Sequence, residues 1–193
     1  GVQPVTVPNV VGSTQAAAEA AITGATLAVG TVTTQYSDTV AAGDVISQNP
    51  AGGASVQPGT SVDLVVSLGV QMVTVPDVTG LSQAAAEAAI TAAVLTVGNV
   101  TTAYSPTVPT GDVISQNPAG GASVVHDSTV DIVVSLGVQP VTVPNVVGST
   151  QAAAEAAITG ATLAVGTVTT VYSDTVAAGD VISQNPAGGA SVA

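Results

Sequence analysis

The chain has 193 residues, of which nine are Asp, three Glu, one His and none Lys or Arg, so its formal charge is −12 at pH 7. Without cations it cannot neutralise phosphates or settle on an anionic bilayer, which excludes nucleic-acid and membrane-surface binding. At 46% hydrophobic residues it is not disordered, yet no run approaches the roughly 18 apolar residues of a membrane span.

The sequence repeats. Val5, Val73 and Val141 each open a VTVP segment, and the step from Pro8 to Pro76 to Pro144 is 68 residues both times. Residues 1–57 and 137–193 differ only at Gln35/Val171 and Gln57/Ala193, while the middle copy diverges further. A strict period of this kind marks an array of supersecondary units. Three copies are expected, at 1–69, 70–137 and 138–193, the last lacking its final strand. At 68 residues each lies near the lower limit for an independent core.

Within the first copy, Pro8 forces Val7 out of the helical region, so VTVPNV reads as an extended opening strand. Gly12 breaks it. Thr14, like Ser82 and Thr150, is placed to cap a helix over the Ala-rich stretch Gln15 to Thr23, with Gly24 or Gly160 as the stop. Leu27, Val29, Val32 and Tyr36 continue as a strand. Gly43-Asp44 signals a turn, and Val45 to Gln48 a short strand ended by Asn49-Pro50. After Gly52-Gly53 and Pro58-Gly59, Ser61 to Leu68 reads as the longest strand, with Val62, Leu64, Val66 and Leu68 on one face. The fold class is α+β: a tandem array of small modules, each one helix packed on a roughly three-stranded sheet, the alanine face allowing close approach.

VPNVVG, then a helix containing A-x-x-A-I, then GDVISQNPAGG and GTSVDLVVSLG, together resemble the PASTA module of bacterial penicillin-binding proteins and Ser/Thr kinases. The likeness covers each copy nearly end to end. It implies an extracytoplasmic location and modules strung in line, with peptidoglycan-fragment binding in some members and a spacer role in others. No ligand residue is general enough in the family to be carried over.

Chemistry is sparse. His126 stands where the first copy has Pro58, has no counterpart in the other copies and reads as a turn residue. No acid–base carboxylate pair, nucleophile or phosphate cradle is visible, since the Gly-Gly pairs lack a following Lys or helix start. No catalytic residue, cofactor site or enzyme activity is expected. Unpaired carboxylates do invite Ca²⁺, and Asp38, Asp44, Asp174 and Asp180 are the candidates, although no dense alternating-oxygen loop surrounds them. Glu19, Glu87 and Glu155 mark solvent faces of helices. Thr31 to Thr34 and the sequon Asn99-Val100-Thr101 are either glycan acceptors or plain strand residues.

No Cys precludes disulfides and thiolate metal sites, and no Lys or Arg leaves trypsin-like proteases nothing to cut. The chain does not begin with Met or show a signal peptide, and reads as a mature or excised segment of an extracellular or cell-surface product. Ala193 falls 11 residues short of completing the third copy, which reads as a segment of a longer array or as a site for strand donation by a neighbour. Two functions compete. Near-identical copies and an excess of Val and Ala favour a non-catalytic stalk or filament, self-associated as a homopolymer. The alternative is a peptidoglycan- or muropeptide-binding ectodomain of a cell-wall sensor kinase or penicillin-binding protein, for which three Tyr, no Trp and no Lys or Arg are poor equipment.

Overall fold

The computed structural model describes residues 2–193. The first copy runs β1 (Val5–Thr6), α1 (Gln15–Gly24), β2 (Ala28–Gln35), β3 (Val45–Asn49), β4 (Ser55–Val56) and β5 (Ser61–Ser67). The second runs β6 (Met72–Thr74), α2 (Gln83–Ala92), β7 (Thr96–Ala103), β8 (Val113–Asn117), β9 (Ser123–Val125) and β10 (Thr129–Ser135). In the third, β11 (Val141–Thr142), α3 (Gln151–Gly160) and β12 (Ser191–Val192) form. By internal contacts the chain divides into two compact units, one with residues up to 77, 88–97 and 118–130, the other with 78–87, 98–117 and 131–193. Among the described residues no helix is long and apolar enough to cross a membrane.

Each of the first two copies is one helix with a three-stranded sheet, in the orders β2-β5-β3 and β7-β10-β8, plus a two-stranded ladder, β1-β4 or β6-β9. The expected α+β module is the one observed. The last strand is central: β5 lies parallel to β2 and antiparallel to β3. The core of the first copy gathers Val7, Val10, Ala18, Ile22, Leu27, Val45, Val62, Leu64 and Val66. Ala18 and Ile22 are the buried residues of α1, the small one allowing close approach and the large one filling the remaining space. Burial of each Val, Leu or Ile here stabilises by about 1.5–3 kcal/mol.

Three local expectations are corrected. Gly24 is the last helical residue rather than the stop; Ala25 closes α1, and Thr26 takes the left-handed conformation at φ 59°. β2, at 8 residues, is longer than β5, at 7. Leu68 is not on the core face but exposed, because β5 ends at Ser67, which is itself buried. The Ser67 hydroxyl donates to Val40 O (2.7 Å) and accepts from Gly69 N (2.9 Å), tying the 37–44 loop to the end of the copy. Ser135 repeats this with Val108 and Gly137.

Two motif residues act as staples. Gln48 accepts from Val10 N (2.7 Å) and donates to Pro8 O (3.0 Å) and Pro50 O (3.1 Å), joining the opening segment to the end of β3. Gly52 lies against Asn9 so closely that an added Cβ would stand 2.6 Å from Asn9 Cβ, so only glycine fits without displacement.

In the third copy the ladder, helix and glutamine staple are retained, as β11-β12, α3 and Gln184, but residues 164–171 and 181–185 form no strands. Their counterparts in the first copy, β2 and β3, pair through β5.

Candidate functional site

On the solvent side of the first sheet, the strand alternation that buries Val62, Leu64 and Val66 turns Asp63 and Val65 outward. Thr31 and Thr33 from β2 and Ser47 and Asn49 from β3 flank them, enclosing a shallow hollow of about 290 Å³. The second copy repeats it with Asn99, Thr101, Ser115, Asn117, Asp131 and Val133 around about 310 Å³.

The carboxylate in each hollow has a structural task. The pairing of β2 with β5 slips between Val29 and Val32, and Asp63 Oδ1 accepts from the Thr31 N–H there at 2.7 Å. Asp131 does the same for Asn99 N at 2.6 Å. Gly30 makes room, since a Cβ there would collide with the Asp63 carboxylate. Beside that carboxylate, each hollow presents hydroxyls and amides over an apolar floor, Leu64 and Val65 in the first and Ile132 and Val133 in the second. Such a surface suits a neutral ligand bearing hydroxyl and amide groups, and the surrounding negative charge disfavours an anionic one. The signal was present in Thr31 to Thr34 and the Ser-Gln-Asn run, but the strand order needed to bring them together was not legible. Asn99 and Thr101 of the sequon lie in this lining.

The second polar feature is His126. It occupies the turn expected of it, but its ring nitrogens both face carboxylates: Nε2 lies 3.0 Å from Asp38 Oδ1 and Nδ1 lies 2.8 Å from Asp127 Oδ2. The ring is 23% exposed, against 63% and 72% for the two aspartates. The hydrogen bond to Asp38, then that to Asp127, raises its pKa above the ordinary 6.5, opposed by desolvation. The sequence signal was faint: a His-Asp pair replaces Pro58-Gly59.

Of the calcium candidates, Asp38 therefore faces His126. Asp44 and Asp180 are set by backbone bridges to Thr14 and Thr150 at the start of the helices. Asp174 is exposed. Among the described residues no three His, Cys, Asp or Glu side chains gather as a metal site.

The small modules, each with a helix, a ladder and the same motif staples, define a class: tandem α+β repeats. More narrowly, the chain belongs to the PASTA domain family, whose model matches residues 5–68, 73–136 and 141–193. It is 36% identical over 150 residues to a probable serine/threonine-protein kinase PknB of Corynebacterium glutamicum, covering 77% of this chain and 23% of that protein. A probable serine/threonine-protein kinase of Clostridium acetobutylicum is 33% identical over 162 residues, covering 83% and 24%. The chain thus spans about a quarter of the length of these curated relatives. Among solved structures it resembles the entire extracellular region of the Ser/Thr kinase PrkC from Staphylococcus aureus, with TM-score 0.69, 28% identity and coverage of 96% of this chain and 66% of that one. A three-PASTA-domain structure of a Ser/Thr kinase from the same organism gives TM-score 0.64, 27% identity and coverage of 97% and 94%.

These relatives overturn the stalk or filament reading and give no support to a homopolymer. The physical reason is visible in the modules. The Val and Ala excess suggested mutual assembly, but each module commits apolar side chains to a core of its own, around Ile22 and Leu64 in the first copy and their counterparts Ile90 and Ile132 in the second.

Proposed function

We propose that this chain is part of the extracellular region of a membrane Ser/Thr kinase, where its modules at 1–69, 70–137 and 138–193 contact peptidoglycan-related material. The observation that carries this reading is the match over most of the chain to kinases, together with the likeness to an extracellular kinase region. The sheet hollows are the contact surface we assign. With no Lys or Arg to meet the carboxylates of stem peptides, recognition falls on the hydroxyl and amide groups of the glycan. Any kinase activity belongs to residues outside this chain.

The test is co-sedimentation with purified peptidoglycan sacculi, comparing the chain with a variant carrying Thr33→Val and Ser47→Ala in the first hollow and Thr101→Val and Ser115→Ala in the second. Saturable binding reduced several-fold in the variant supports the reading. Binding that the variant leaves unchanged moves the contact away from the hollows, and no binding at all sinks the wall-facing role.

A further inference from the structure

The described residues hold one side chain able to become a cation, and it stands between carboxylates of different copies. Asp38 lies in the loop after β2 of the first copy; His126 and Asp127 form the turn between β9 and β10 of the second. All three fall within the same compact unit. The turn is firmly built: His126 N donates to Gln71 O (3.0 Å) and Asp127 N to Val94 O (2.9 Å). Asp127 holds a left-handed conformation, φ 61°, where the first copy has Gly59 at φ 80°. Asp is one of the few non-glycine residues that tolerate it.

The combination does not recur elsewhere in the chain. The first copy has Pro58 at the histidine position, and the second has Pro106 in place of Asp38. Both ring nitrogens face carboxylate oxygens, which accept but cannot donate when ionised. A neutral imidazole has one N–H and can satisfy one of the two contacts; the other then sets lone pair against lone pair. Only the imidazolium satisfies both.

We propose that His126 is a proton-gated latch that ties the second copy to the first. Protonated, it bridges Asp38 and Asp127; once neutral it keeps a single N–H, and the Nδ1–H tautomer, paired with the adjacent Asp127 of its own turn, sets a bare Nε2 lone pair against Asp38 and releases it. The contact is made at low pH and weakens as the pH rises through the raised pKa of the ring. This is the direction required of a group whose proton is held more tightly in the folded state. The charged groups acting on the ring are the same two: Asp38 from the loop after β2 and Asp127 from its own turn. Added salt weakens the latch, since all three side chains are partly solvent-exposed.

The absence of native cysteine makes the test direct. Spin labels on Ala20→Cys in α1 and Ala88→Cys in α2, both exposed positions, report the distance between copies by pulsed electron resonance. In parallel, ¹⁵N shifts of the imidazole follow its titration. The expected result is a narrow distance distribution with both nitrogens protonated at low pH, broadening above the His126 midpoint. Asp38→Ala is expected to lower that midpoint and give a broad distribution throughout, with Asp38→Asn intermediate. A distribution unchanged with pH, or a midpoint unmoved by Asp38→Ala, overturns the latch. Because Asp38 is largely exposed, the variants test the contact rather than the fold.

Discussion

The first and third copies are nearly the same sequence, and they do not form the same structure. Gln15–Gly24 and Gln151–Gly160 are identical helices, capped by Thr14 and Thr150 with the same geometry to within a few degrees. The identical stretches at 28–34 and 164–170 differ: the first lies within β2, the other forms no strand. A helix closes its hydrogen bonds within its own segment, whereas a strand requires a partner. In the first copy that partner is β5, which alone bridges β2 and β3. The ladders β1-β4 and β11-β12 confirm the rule, forming in both copies because both of their strands are present. The side-chain consequence is direct: Val45 and Ile22 are fully buried, while Val181 and Ile158 are half-buried.

The strongest way to break this comparison is to supply the partner. Extending the chain after Ala193 with the sequence of residues 58–69 is expected to turn 164–171 and 181–185 into strands flanking the new one. The equivalents of Val62, Leu64 and Val66 would become buried, for a gain on the order of 5 kcal/mol in the third copy. Hydrogen exchange of the amides in 164–171 reads the outcome. If their protection does not rise towards that of 28–35, strand formation here depends on something other than the central partner.

A smaller effect sharpens the contrast at one side chain. Ile22→Ala removes a fully buried residue and should cost about 2–5 kcal/mol, whereas Ile158→Ala, at the same place in an identical helix, should cost less than half as much. Calorimetry of the two variants decides it. Equal losses would mean that the third helix is packed as tightly as the first.

The same contrast explains what was legible in the sequence. The helix was readable from Thr14 and the alanine run because its determinants are local, and the module type from motif residues with fixed stereochemical tasks. The inward face of β5 was readable from alternation, except at its end, where Ser67 turns in to bind Val40 and Leu68 turns out. Alternation alone could not foresee that exchange. The order β2-β5-β3 was not legible, since a parallel pair made between distant segments leaves no local signature, and the hollows went unseen with it. His126 was read as a turn residue because its partner, Asp38, is 88 residues away. The filament reading failed at a different level: composition counts apolar residues but does not say how many one module can bury by itself.

The smallest expected difference is none at all. Gln48 and Gln184 make the same three hydrogen bonds, at the same distances of 2.7, 3.0 and 3.1 Å, to the opening segment and to the proline of the Asn-Pro step. Neither staple involves the central strand, so the absence of strands at 164–171 and 181–185 should not weaken the second. Truncation to Ala would leave the N–H of Val10 or Val146 and two carbonyls without their partner, a loss of about 1–3 kcal/mol. Gln48→Ala and Gln184→Ala should therefore each expose the amide of Val10 or Val146 to faster hydrogen exchange, by similar factors. If only Gln48→Ala did so, the opening segment would depend on the completed sheet, and the division between locally secured and partner-dependent parts of the module would have to be redrawn.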